Sequence, residues 1–394
     1  MQGHLTLPEA SPPAAGPVEG AGAAVPFASR IVAWQRVHGR HDLPWQNTRD
    51  AYRVWLSEIM LQQTQVATAL PYYRRFLAAF PDVRALAQAP LERVLELWSG
   101  LGYYRRAHHL HAAAQVVLAR HGGKFPRDCV ELAALPGIGR STAAAIAAFA
   151  HGDSAAILDG NVKRVLARHR GIDGPTASAG VQRLLWACAD ALLPLRDIGA
   201  YTQGLMDLGA TVCIRRKPLC RLCPVAHDCI ARTTDRVDEL PSPGPRRVVP
   251  QRARRVLLIE RDDAIFFERR PPTGVWSGLL SLPELPVDAD PVQAMLERFG
   301  VNVSAGEMLA PIVHAFTHFT LTMHPQRMCW QPEALLRALE PPAEVWLTRE
   351  QALAAALPAP VKRLVHSLAA NRKSQLPGLP STSSGNVHST APSG

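Results

Sequence analysis

Residues 135–142 read LPGIGRST, and residues 157–164 read ILDGNVKR. In the first stretch two glycines, Gly137 and Gly139, stand between helical runs. They let the backbone turn tightly and point its N–H groups outward at the start of the next helix. That is a suitable anion site for a nucleic-acid phosphate, with Arg140 and Ser141 beside it. A Gly-x-Gly also serves a plain helix–helix turn, but the flanking helices and the Ser-Thr-Ala run favour the nucleic-acid reading. In the second stretch Asp159 precedes a helix, so its ordinary role is an N-cap. The same helix terminus favours an ionised carboxylate there.

Working outward, the chain upstream is helix after helix from Phe27 to about Ala231, with Gly or Pro at nearly every junction. Asp50 can cap a helix over Ala51–Leu70, stopped by Pro71, on which Trp55, Leu56, Ile59, Met60, Gln63 and Ala67 follow helical spacing. Leu91–Trp98, Ala107–Arg120, Val130–Leu135, Thr142–Ala150, Val162–His169 and Val181–Leu193 continue the pattern. Glu58, among Trp, Ile, Met and Leu, is either a surface residue beside an apolar stripe or a partly buried acid.

Downstream, Cys213, Cys220, Cys223 and Cys229 crowd into 17 residues, whereas Cys129, Cys188 and Cys329 are scattered. An odd total with four packed together argues for a metal site in a reducing compartment rather than a disulfide framework. All-Cys ligation suits an iron–sulfur cluster or zinc. The single C-x2-C knuckle with longer flanking gaps favours iron–sulfur, with zinc and unliganded thiols as alternatives. Within the first gap, Arg215, Arg216 and Lys217 form a phosphate-facing loop or a solvated turn.

Residues 235–252 are a basic, Pro-rich linker. After it the pattern changes to an α+β unit over 253–371. Strands are expected at 255–260, 264–268, 278–282, 312–316 and 319–324, and helices at 291–299 and 332–339. Residues 1–26 and 372–394, rich in Ala, Pro, Gly and Ser, are expected to be disordered tails. The 394 residues carry a net charge of +10. Only five of the 43 basic residues are lysines, a bias that GC-rich coding also produces. The excess charge points to an anionic partner. No apolar run reaches the ~18 residues of a membrane span, and the first basic residue, Arg30, makes a secretory or transit leader unexpected. A cytoplasmic, nucleoid-associated bacterial protein is the expectation.

Together the motifs resemble the helix-hairpin-helix DNA glycosylase superfamily and, within it, the adenine DNA glycosylases. The matching segments are Pro44–Gln46, Ser57–Ala67 (SEIMLQQTQVA), Gly100–Tyr104 (GLGYY), Leu135–Thr142, Leu158–Arg164 and the four-Cys loop, and the resemblance spans about residues 27–370. It implies a mainly α protein. A two-lobed helical glycosylase domain over 27–234 would hold a catalytic cleft between its lobes and a [4Fe–4S] cluster on loop 213–229. A C-terminal Nudix-like domain would follow. The substrate implied is double-stranded DNA carrying adenine opposite 8-oxoguanine or G, bound by a monomer.

By the same resemblance Glu58 is the acid for the leaving adenine, Asp159 the stabiliser of the cationic sugar, and Asn161 its orienting neighbour. Trp45, Leu61, Gln63, Thr64 and Tyr103 would meet the DNA or its bases, Tyr103 and Tyr104 being core residues on the plainer reading. Phe316-Thr317-His318 would read the partner base, or form an ordinary hairpin. The endonuclease III branch has Lys where this chain has Ser141, and a hydroxyl cannot form the imine that lyase chemistry needs, so a monofunctional enzyme is expected. A bifunctional endonuclease III-like lyase and an inactive DNA-binding iron–sulfur protein are the alternatives. The segment from Gly274 through Glu284 to Gly300 lacks the clustered glutamates of Nudix hydrolases, so that domain is expected to recognise rather than hydrolyse.

Overall fold

The computed structural model describes residues 25–245, 248–331 and 344–373. The expected tails lie almost wholly outside these, as do Arg246, Arg247 and the expected 332–339 helix. Chain packing divides the molecule into two compact units, one of residues 1–40 with 158–243 and one of 41–157 with 244–394. This partition differs from a boundary at the linker: the later helices of the first half belong with the N-terminal helix, and the earlier ones with the C-terminal sheet.

The first unit is helical. Phe27–His38 packs on Ile198–Asp207, which runs on through a wider π turn at Leu208–Val212. Gly160–Arg170 and Ala179–Ala191 complete it, and the four-Cys loop follows. Asp207, with its side chain 1% exposed, is balanced by Arg40, whose Nε donates to it at 2.7 Å.

The second unit joins helices to a sheet. Asp50 caps the first helix, Ala51–Leu61, by accepting the Tyr52 N–H at 2.9 Å. The single helix expected over 51–70 is in fact two: the chain turns at Gln62–Gln65 and a second helix, Val66–Ala79, contains Pro71. Proline forfeits one helical hydrogen bond, but Ala69, Tyr73 and Phe76 are buried on this helix, and tertiary packing overrides the local signal. Val83–Gln88, Leu91–Trp98, Arg105–His121, Cys129–Ala133 and Arg140–Ile146 follow.

The sheet comprises β1 (Gln251–Arg261), β2 (Ala264–Arg269), β3 (Leu280–Ser281), β4 (Glu284–Leu285), β5 (Val303–Met308), β6 (Ile312–Ala315), β7 (Thr320–Trp330) and β8 (Glu344–Thr348). Its backbone order is β3-β2-β1-β7-β5, with β1 and β7 parallel and in register from Gln251–Thr320 to Glu260–Cys329. Strand β5, the full length of β7 and β8 go beyond the expected strands. Alternation along β1 and β2 sorts the core in two. Leu257, Ile259 and Phe266 face Met295 of the Pro291–Phe299 helix. Val256, Leu258, Ile265 and Phe267 join a core that is continuous with Trp55, Phe76, Trp98 and Leu110 of the helices. Among the described residues no helix is long and apolar enough to cross a membrane.

Candidate functional site

In the second unit, Glu58 lies half-buried on the helix Ala51–Leu61, where Val54, Trp55, Leu56, Ile59 and Met60 are all buried. After Leu61 the backbone reverses, with exposed Gln63 in the left-handed region at φ 56°. Leu61 and Thr64 are half-buried on either side. Arg106, only 8% exposed, closes this turn. Its Nη1 donates to the carbonyls of Ile59 (2.9 Å), Met60 (2.8 Å) and Gln62 (2.7 Å). Its Nη2 donates to Thr64 Oγ1 and to the Gly102 carbonyl, each at 3.1 Å. The guanidinium also lies 5.3 Å from the Trp98 ring and 5.5 Å from the Tyr103 ring. Burial lowers it to about 10, still charged at neutral pH. Sequence reading missed Arg106 because nothing local separates it from the many other arginines.

The hairpin is built as its glycines imply. Gly137 has φ 76°, and a Cβ there would come within 2.6 Å of His109 Cβ, so the turn needs both the conformation and the space. Gly139 caps the helix Arg140–Ile146, and Gly139 and Arg140 are exposed. Ser141 is half-buried. Thr142 Oγ1 accepts from Gln62 Nε2 at 3.4 Å, which ties the hairpin to the Gln62–Gln65 turn.

Tyr103 and Tyr104 part company. Tyr104 is 8% exposed and accepts the Gly100 N–H, whereas Tyr103, at φ 50°, is 46% exposed. The Tyr103 hydroxyl lies 3.1 Å from Thr317 Oγ1. Thr317 and His318 are exposed at the β6–β7 turn, which the Phe316 N–H closes onto the Phe319 carbonyl. Phe316 is half-buried, stacked on Phe319 at 4.5 Å and flanked by Trp276 and His314. Trp45, expected at the DNA, is 8% exposed and packs edge-on against Tyr73. Near the Nudix-like motif, Glu268 pairs with Arg298 and Glu284 with Arg270, so these carboxylates are already neutralised.

In the first unit Asp159 caps Gly160–Arg170, accepting the Val162 N–H at 2.7 Å. Burial pushes its carboxyl above the ordinary range, opposed by the N–H groups of Val162 and Asn161 and by Arg164 and Lys163. Desolvation therefore outweighs the helix terminus that was expected to favour the ionised form. Asn161 is committed to Arg164, accepting its Nη2 at 2.8 Å, and its Cβ fills the space where a Gly209 side chain would stand. It holds Arg164, which also donates to the carbonyls of Gly209 and Cys213.

Cys213, Cys220, Cys223 and Cys229 line one cavity, whose walls include Val165, Leu208, Val212 and Val225 together with Arg168, His169 and Arg232. Arg168, 3% exposed, fastens the loop. It donates to the carbonyls of Leu240, Ile214 and Arg215, and its Nη1 is 3.4 Å from Cys213 Sγ. Burial and the three neighbouring thiols push the Cys223 thiol up to about 12. Arg215, Arg216 and Lys217 are exposed.

A helical hairpin, a capping aspartate and a four-cysteine loop thus precede the sheet along the chain. The HhH-GPD superfamily base excision DNA repair family matches residues 56–189, and the NUDIX domain family matches 255–367. The adenine DNA glycosylase of Buchnera aphidicola subsp. Acyrthosiphon pisum is 33% identical over 88% of this chain and 98% of its own. The adenine DNA glycosylase of Homo sapiens is 32% identical over 86% of this chain and 73% of its own. A solved thermostable thymine-DNA glycosylase aligns with 53% of this chain and 95% of its own, at 29% identity and a TM-score of 0.48. The chain belongs to the adenine DNA glycosylase family, and its activity is that of a base excision repair N-glycosylase.

Proposed function

We propose that this enzyme removes adenine mispaired with 8-oxoguanine or guanine by hydrolysis alone, with Glu58 and Asp159 dividing the chemistry. Adenine must leave the stack before its N-glycosidic bond can be reached, at a cost of a few kcal/mol. Glu58 protonates the base at N7, so that it leaves neutral, and then returns as base for the attacking water. Asp159, facing C1′, offsets the positive charge that develops on the sugar. Its burial strengthens that interaction because little solvent screens it. Ser141 offers no amine for imine formation, which leaves an intact abasic strand.

Partner-base reading is assigned to Phe316, Thr317 and His318. The observation that carries this reading is the exposed pair of Tyr103 and Thr317 hydroxyls, 3.1 Å apart. A residue suited to filling the duplex thus stands beside a hydroxyl able to accept or donate at the altered N7/O8 edge.

The four cysteines are proposed to hold a [4Fe–4S] cluster. Four cysteine thiolates on one short loop are the donor set that such a cluster takes. A cavity lined by four thiols, mostly apolar side chains and cationic groups, with the Arg168 guanidinium 3.4 Å from one sulfur, suits an anionic core. When bound, the cluster would cross-link the loop; Arg215, Arg216 and Lys217 would then face phosphates.

Single-turnover cleavage of duplexes carrying A:8-oxoguanine, A:G, A:T or thymine glycol, with and without alkali, tests the whole reading. Adenine loss from the first two, with strand breaks only after alkali, is expected. Alkali-independent nicking with a borohydride-trappable adduct would place the enzyme with the lyases instead.

A further inference from the structure

Gln63 and Tyr103 both hold left-handed backbone, at φ 56° and 50°. Side chains other than glycine keep that conformation only where their surroundings enforce it. The same buried side chain is hydrogen-bonded to both turns. The last carbonyls of the Ala51–Leu61 helix lack intrahelical partners and form the negative end of its dipole. One nitrogen of Arg106 lies within hydrogen-bond distance of the carbonyls of Ile59, Met60 and, in the turn, Gln62, its two N–H groups shared among the three. With the other it reaches Thr64 and, across to the second turn, the Gly102 carbonyl beside Tyr103. Only a planar fork spans both turns; an ammonium is a point donor. Glu58 lies one helical turn before the latched end.

We propose that Arg106 is a positioning residue that holds the Gln63 and Tyr103 turns together as one preformed wedge, so that its loss impairs extrusion of adenine rather than proton transfer to it. This rests on the reading of Gln63 and Tyr103 as residues that fill the duplex.

The test uses the full-length chain and an A:8-oxoguanine duplex with 2-aminopurine beside the mispaired adenine, whose fluorescence rises as the stack opens. Measurements are made well below the melting temperature of each variant. Arg106→Lys should lower both the fluorescence amplitude and single-turnover excision, by about tenfold to a hundredfold, because several buried carbonyls lose their donors. Glu58→Gln should cut excision by about 10²–10⁴-fold while keeping the wild-type amplitude, which separates flipping from chemistry. In Arg106→Ala, ethylguanidinium should restore the amplitude in a saturable manner and ethylammonium should not. If Arg106→Ala does not fold, Arg106→Lys carries the test. A wild-type amplitude in Arg106→Lys, equal rescue by the two cations, or a loss that vanishes on cooling would each overturn the proposal. No excision by the wild-type chain from any adenine mispair would instead sink the enzymatic reading on which it stands.

Discussion

Asp159 shows how one residue can serve the fold and oppose it. Its carboxylate caps a helix, yet burial pushes the group above the ordinary range. A carboxyl whose folded pKa exceeds its unfolded one binds its proton more tightly in the native state, so the ionised form costs stability at neutral pH. That cost declines as pH falls through the folded value and is gone below the unfolded one. Asp159→Asn keeps an acceptor for the Val162 N–H and removes the charge. It should therefore melt higher than the wild type at pH 7, with the gap closing toward acid. Melting curves of the two proteins from pH 7 to 4 check this. The same substitution, like Glu58→Gln, should cut excision by about 10²–10⁴-fold with duplex binding retained. Near-wild-type excision by either variant would remove that residue from the mechanism.

At the scale of elements, the hairpin and the four-Cys loop are two further places where short irregular backbone must be held rigid. Gly137→Ala would put a Cβ against His109 in a left-handed turn, so the hairpin must shift. Duplex affinity should fall, and the strain should lower the melting temperature as well, as titration and calorimetry would show. In the loop, replacing Arg215, Arg216 or Lys217 by Ala should make the dependence of log Kd on log salt shallower by ~0.9 for each phosphate that is no longer neutralised. Unchanged slopes would make them solvated charges. Iron analysis of anaerobically purified protein should return about four atoms per chain. Cys→Ser changes within 213–229 should lower iron content and DNA affinity together. Stoichiometric zinc without iron would reverse the cofactor assignment.

At the scale of the whole molecule, the C-terminal sheet shares apolar core with the helices of its unit. Val256, Leu258, Phe267, Leu282, Phe319 and Leu321 share a core with Trp55, Phe76 and Trp98. Truncation at residue 240 would expose that core, and the shortened chain should melt lower or aggregate, with excision lost for that reason. Point changes therefore test partner-base reading better. Thr317→Ala should leave A:G excision largely intact and narrow the preference for A:8-oxoguanine by ~1–3 kcal/mol, the scale of one hydrogen-bonded base edge. An unchanged ratio of the two rates would end the recognition role of the loop.

The sequence by itself determined the class of protein, the helical run and the switch to strands after the linker, and it named the candidate residues for the chemistry. Each rests on local signals: period, glycine spacing, cysteine spacing and capping chemistry. Only the tertiary structure decided that 51–70 breaks at Gln62–Gln65 and that Pro71 sits inside a helix. The same holds for Tyr104 and Trp45 lying in the core, and for Tyr103 meeting Thr317. Asp159 would be read from its helix terminus as favouring ionisation, and burial decides otherwise. Arg106 and Arg168 were invisible for the same physical reason. A buried guanidinium is distinguished by the carbonyls around it, and those come from segments far apart in the chain, brought together by packing rather than by any pattern along it.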